Sequence, residues 1–290
     1  MKVIVDSFKY LLFGAAMHYL PLIWIALGLV AAMTGAWVVQ RLTGSSGWVD
    51  TIWSLAVGAG GLAAALLPAS EAVAGRQVFA ALLVTIWSLR LAWHIAARTH
   101  GANEDPRYAA LAQQWGRSFA PRLFVFLQIQ AGAAFVLILA VRMAAINPAP
   151  FPRLADMLGM ALLLVAILGE AIADAQLSRF RRTHHGQKAV CDVGLWGWSR
   201  HPNYFFEWLA WCAWPLLAID VSNWRVEGLV ALAAPVMMYV LLVHISGIPP
   251  LETHMVASRG EAFRTYQARV SGFFPWARRS AHRSIKETRS

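Results

Sequence analysis

Ionisable side chains recur where the surrounding sequence is apolar. Asp50 opens an apolar run over 48–67, and Arg90 lies in a second run over 77–97, one helical turn after Trp87. Glu170 and Asp174 stand four apart in the run 154–177, a spacing that sets both on one helical face. Glu207 opens the run 205–221, and Glu252 and His254 follow the run 228–247. A charge in a hydrocarbon core costs about 3 kcal/mol or more, so ionisable groups there are functional candidates. A carboxylate gains nothing from burial unless something satisfies it, and a polar cavity that takes a charged ligand would do so. Residue by residue a plainer alternative stands. Arg90 and Asp50 could pair to hold two helices together, and charges at span ends can snorkel to the interface.

The densest polar stretch is GLWGWSRHPNYFFEW, residues 194–208, which sets Arg200, His201, Asn203, Tyr204 and Glu207 among tryptophans at the mouth of an apolar run. Charge alone permits an interfacial anchor, with Trp196, Trp198 and Trp208 as an aromatic belt. It also permits one wall of a pocket for an anion.

The elements that must position these residues are membrane helices. The chain is 58% hydrophobic and only 14% charged over 290 residues, and its mean hydropathy is +0.51. Apolar runs of about 20 residues, enough to cross a core of about 30 Å, recur throughout. The expected fold is all-α: a polytopic membrane protein of seven transmembrane helices in a single domain over 1–290. The spans are placed at 20–40, 48–67, 77–97, 122–141, 154–177, 205–221 and 228–247, after a short amphipathic lead rather than a cleaved signal peptide. With the C-terminal tail cytoplasmic, 18 basic residues fall inside against 6 outside (Lys2, Lys9, Arg76, Arg142, Arg153 and Arg225), with Arg90 within a span. That bias orients the chain with its N-terminus outside and a basic cytoplasmic tail over 278–290, and brings the ionisable set to the cytoplasmic half.

Other chemistries find less support. There is no G-x-G-x-x-G after a strand and no phosphate-binding loop. Cys191 and Cys212 make no disulfide framework and are read as free thiols. A metal site would have to draw on His184, His185, His201 or His254, which lack the spacing of a helical zinc pair. The excess of 25 basic over 15 acidic residues is read as loop charge, not as a nucleic-acid surface. NEDPRY, residues 103–108, reads as a solvated loop or as a helix start capped by Asn103.

WGWSRHPNYFFE resembles the W-G-x-x-R-H-x-N-Y-x-x-[D/E] signature of the membrane sterol reductases and the wider steroid 5-alpha-reductase superfamily. DTIWSL (50–55), IWSLRLAWHIAAR (86–98), EDPRYAAL (104–111), GEAIADAQLSRFRR (169–182), SGIPPLE (246–252) and YQARVSGFFPW (266–276) are similar to its bacterial branch, long labelled only as a domain of unknown function. The resemblance implies a reductase that binds NADPH from the cytoplasmic side of the bacterial inner membrane and reduces a lipid-like enone, as the 3-oxo-steroid 5-alpha-reductases do. Carried over by motif, Glu170, Asp174, Arg181, Arg200, His201, Asn203, Tyr204 and Glu207 line the dinucleotide pocket, and Arg179, Glu252 and His254 adjoin it. Arginines suit pyrophosphate and 2′-phosphate, while carboxylates and amides suit ribose and carboxamide groups.

The sequence departs from the animal enzymes where a Gln-Glu pair and a Tyr hold the substrate carbonyl. It offers Asp50, Trp87 and Arg90 there. An indole donates one N–H and cannot pass a proton as a phenol can, so the expectation is that a protonated Asp50 polarises the carbonyl, aided by Trp87 and Arg90. The expected partners are membrane lipids and a lipid-like substrate, and no nucleic acid. Two rivals remain. Isoprenylcysteine and phospholipid methyltransferases, which use S-adenosylmethionine, share the Arg200-His201-Pro202 order, and a non-enzymatic lipid-binding protein could keep the same spans.

Overall fold

The computed structural model describes residues 2–70, 72–100, 105–184, 188–220 and 226–278, with side chains from residue 20 onward except Pro106. None of the described residues forms a strand; Ser199 and Ser271 make an isolated parallel bridge. The helices are α1 (Lys2–Thr43), α2 (Gly47–Leu66), α3 (Ala74–Thr99), α4 (Pro106–Trp115), α5 (Phe119–Ala145), α6 (Leu154–Thr183), α7 (Pro202–Ala218), α8 (Ala233–Val240), α9 (Ile248–Arg259) and α10 (Glu261–Arg269).

Six described helical segments, not seven, are long and apolar enough to cross a membrane: Leu20–Thr43, Gly47–Leu66, Ala74–Thr99, Arg107–Ala145, Leu154–Thr183 and Val226–Arg259. The expected sixth span is the one that falls short. α7 has 17 residues, about 26 Å of helix at 1.5 Å per residue. The last crossing also changes its winding along its length. It runs from a 3-10 helix (Val226–Leu232) through α8 to a π-helical turn (Leu241–Ile245), and restarts as α9 with proline in its first turn. The start of α4 differs from the expected cap as well. Asp105 caps the helix by accepting from the Arg107 amide, and Pro106 stands in the first turn, where its missing N–H costs nothing. Asn103, His185, Arg225 and the tail beyond Arg278 lie outside the described residues.

Contacts divide the chain into two compact units, Met1–Gly159 with Trp214–Ala234, and Met160–Ala213 with Pro235–Ser290. In the first unit α2 packs against α1, α3 and α5. Its core holds Met33, Val57, Leu123, Leu127, Leu137 and Ile138. Gly58 and Gly61 let α3 approach closely: a Cβ at either position would overlap Ser88 or Val84. The Ser88 hydroxyl closes the same contact by donating to the Ser54 carbonyl at 2.8 Å. Trp24, Leu42 and Trp93 stay exposed on these helices, as lipid-facing residues do where the solvent is itself apolar.

Three arginines counted as loop charge are tied into this unit. Arg142 donates to the carbonyls of Ala64 at 3.0 Å, Leu67 at 2.6 Å and Pro68 at 3.1 Å, where α2 ends. Arg76, 2% exposed, grips Asp156 through two contacts of 3.0 and 2.9 Å and reaches the Leu217 carbonyl at 3.4 Å. Arg153 donates to Leu216, Leu217 and Ile219, and Asn147 donates to Leu217 and Ala218. These side chains answer the last carbonyls of α7, which no helical amide can reach.

The second unit has its own core. Phe263, Tyr266 and Val270 are buried together, with Val190, Met255 and Val256 against them.

Candidate functional site

The site in the second unit is assembled from loops that α6 and the C-terminal helices hold in place. Residues Gly194–Gly197 form a 3-10 turn that starts at Gly194, whose φ of +58° suits glycine. Two contacts fasten it to α6: the Trp196 indole donates to the Ala173 carbonyl at 2.9 Å, and the Gln176 amide oxygen accepts from Leu195 N at 3.0 Å. The Tyr266 hydroxyl donates to the Trp196 carbonyl at 2.6 Å. Ser199 donates to the Phe273 carbonyl at 2.8 Å and accepts from His201 N at 3.1 Å, just before Pro202 opens α7.

Glu252 is the hub. Arg200 reaches its two oxygens at 2.7 and 3.3 Å, His201 Nε2 lies 2.9 Å from Oε1, and the Gln267 amide donates to Oε2 at 2.7 Å. The remaining Arg200 donor faces the carbonyls of Gln267 at 3.2 Å and Val270 at 2.6 Å. The structure therefore brings together Arg200, His201 and Glu252, named separately from sequence, and adds Ser199, Tyr266 and Gln267. The last two lie in YQARVSGFFPW, which stood out as a motif without its polar residues being singled out. Burial pushes the His201 imidazole below its ordinary 6.5, and the Glu252 contact pulls the other way without cancelling it. His201 is thus a neutral ring near pH 7.

The other expected cofactor residues divide by exposure. Glu170 and Asp174 are buried on α6, and Glu207 is buried and accepts from the Trp211 indole at 3.0 Å. Tyr204 and Asn203 are half-buried, and the Tyr204 ring stacks on His201 with centroids 5.6 Å apart. Arg179, Arg181 and His254 are exposed. Among the described residues no cluster of three or more His, Cys, Asp or Glu could hold a metal ion.

The expected catalytic residues belong to the first unit. Trp87 is buried and Arg90 half-buried on α3. Asp50, on α2, takes a salt bridge from Arg107 and accepts from the Tyr108 hydroxyl at 3.1 Å. Each carboxyl oxygen of Asp50 thus has its own partner, Arg107 at one and Tyr108 at the other. Arg107 is braced by Asp105 at 3.1 and 3.0 Å, and Arg98 reaches Asp105 at 3.3 Å. Burial alone would raise the Asp105 carboxyl, but the charge and hydrogen bonds of Arg107, with Arg98 beyond, hold it below its ordinary 3.8. Arg107 and Tyr108 were missed as site residues because EDPRY lies outside the apolar runs.

Residues 36–270 match the family described as protein of unknown function DUF1295. The chain belongs to this DUF1295 family. An uncharacterized protein of Schizosaccharomyces pombe is 26% identical over 270 residues, which cover 82% of this chain and 75% of its own. No solved structure matches the chain. The DUF1295 match takes in Asp50, Tyr108, Arg200, Glu252 and Gln267, so both polar clusters fall within it.

Proposed function

We propose that the protein is an NADPH-dependent reductase of the steroid 5-alpha-reductase superfamily, acting on the activated C=C bond of a lipid-like enone. The observation that carries the reading is the Glu252 hub. It ties Arg200 and His201 to one carboxylate, and Tyr204 stacks on the neutral imidazole. A helix start built in this way suits a planar, multiply hydrogen-bonded ligand such as a dinucleotide.

The roles follow from where each group stands and how exposed it is. Arg200 gives its donors to Glu252 and two carbonyls, so in this reading it shapes the wall. The phosphates fall to exposed Arg179 and Arg181 on the last turns of α6. Buried Glu170, Asp174 and Glu207 suit ribose hydroxyls and the carboxamide. NADPH, when bound, supplies the hydride. The protein is integral to the bacterial inner membrane in this reading, with its C-terminus and cofactor site cytoplasmic, and it takes its substrate from the lipid.

The test is thermal unfolding of the protein in mild detergent, with NADPH or S-adenosylmethionine titrated in. Stabilisation by NADPH alone is the expected result. Stabilisation by S-adenosylmethionine alone would make it a methyltransferase, and a response to neither would leave a lipid-binding protein.

A further inference from the structure

One cleft of the second unit has no part in the reductase reading. Gly194, Gly197, Trp198, Ala277 and Arg278 line a space of about 390 Å³, within the range of small-ligand pockets. Its cation is aimed by neutral atoms. Arg278 Nε donates to the Gly197 carbonyl at 3.2 Å, and Nη2 donates to the Asp192 carbonyl. Glycine at 197 permits this, because a Cβ there would stand 2.6 Å from Nη2. Nη1 faces the Asp192 carboxylate at 3.8 Å, beyond hydrogen-bond reach. A guanidinium fixed by carbonyls keeps its charge for an outside anion, and phosphate is one that its planar fork fits.

The surroundings say which phosphate. The Trp276 amide donates to the Trp198 carbonyl at 3.0 Å, which sets the two residues side by side. They are 72% and 56% exposed, and Val193 and Phe274 are exposed beside them in the chain. Neither indole N–H has an acceptor among the described residues. A soluble anion would leave this apolar surface in water. A phospholipid covers it, and the glycerol level of a bilayer is where tryptophan is favoured. Beyond Arg278 the sequence carries Arg279, Arg283, Lys286 and Arg289 against Glu287 alone. Such a run draws anionic headgroups at about 1 kcal/mol per basic residue near the surface.

We infer that Arg278, Trp198 and Asp192 form a headgroup site for an anionic phospholipid with free hydroxyls, of which phosphatidylglycerol is the simplest. The phosphate takes Arg278 Nη1 and the Trp198 indole N–H. A headgroup hydroxyl donates to the Asp192 carboxylate, so the one acidic group at the cleft has a use beside an anion. Trp276 and Phe274 lie against the glycerol and the first acyl carbons. The assignment does not rest on the reductase reading.

The test counts lipids bound to the detergent-purified full chain by native mass spectrometry, with phosphatidylglycerol or phosphatidylcholine titrated in. The wild type is expected to hold one phosphatidylglycerol that phosphatidylcholine does not replace. Arg278→Gln should weaken that binding about tenfold, as the loss of a charge-assisted contact does. Trp198→Phe, which keeps an aromatic ring and removes the donor, should weaken it less. Arg264, 65% exposed on α10, is the control, and Arg264→Gln should change nothing. Equal binding of the two lipids, or equal losses in Arg278→Gln and Arg264→Gln, overturns the site. Displacement of the lipid by glycerol 3-phosphate at matching concentration would make a soluble anion the ligand and overturns it as well. Should Arg278→Gln not fold, unchanged affinity in Trp198→Phe overturns it instead.

Discussion

Arg200 and Glu252, 52 positions apart, meet in a two-pronged contact of 2.7 and 3.3 Å. Each side chain is only 15% and 14% exposed, so the pair works at a lower dielectric than a surface bridge, and its geometry is the bidentate one that favours arginine over lysine. Glu252→Gln removes the charge while keeping the shape. The variant should lose about 2–3 kcal/mol of stability, somewhat less than a fully buried pair loses when one partner goes. Chemical denaturation in detergent measures it, and Arg200→Lys should recover little of the wild-type stability because an ammonium cannot make both contacts.

His201 sets a pH dependence. Burial holds the folded imidazole below its ordinary 6.5, so the unfolded chain takes up the proton first as pH falls. Stability should therefore be full above pH 6.5 and decline below it, toward the lowered folded value. Unfolding temperatures at pH 7.5 and 5.5, about one unit either side of that value, should differ more for wild type than for His201→Gln. An equal slope in both proteins would assign the loss to other groups.

Asp156 is 1% exposed and sits against Arg76 at 2%. Asp156→Asn strands a buried guanidinium and should cost about 3–5 kcal/mol. Arg76→Met combined with Asp156→Leu removes both charges and should cost less than Asp156→Asn alone. With the Arg76→Met and Asp156→Leu single variants to close the cycle, the departure from additivity is the coupling between them.

Gly58 is where α2 and α3 touch. Gly58→Ala should lower stability by about 1–3 kcal/mol, the range for an overfilled contact, because its Cβ would enter the Ser88 side chain. Ser88→Gly should restore much of that loss in the double variant, even though it forfeits the bond to the Ser54 carbonyl. If the second change restores nothing, steric overlap is not the cause.

Several features were legible in sequence because they rest on local pattern. The long apolar runs located five crossings closely, and the RHPNY stretch announced a site because charge at the mouth of an apolar run needs a reason. Partners remote in sequence were not legible. Nothing in EDPRY says that its tyrosine will reach Asp50, 58 positions away, since that contact depends on how α4 folds back after α3. Likewise Gln267 and Tyr266 sit in a polar segment whose facing residues are supplied only by the tertiary fold. Arg76, Arg142 and Arg153 misled for a related reason: a count of charges cannot distinguish a solvated loop arginine from one turned onto helix carbonyls.

The cap on α7 alters what that helix must do. Its final carbonyls are taken by Arg76, Arg153 and Asn147, so its end needs no water and can stop inside the hydrocarbon layer. A helix capped in this way presents no bare polar end to lipid, so 17 residues serve where an uncapped helix would have to reach the headgroups.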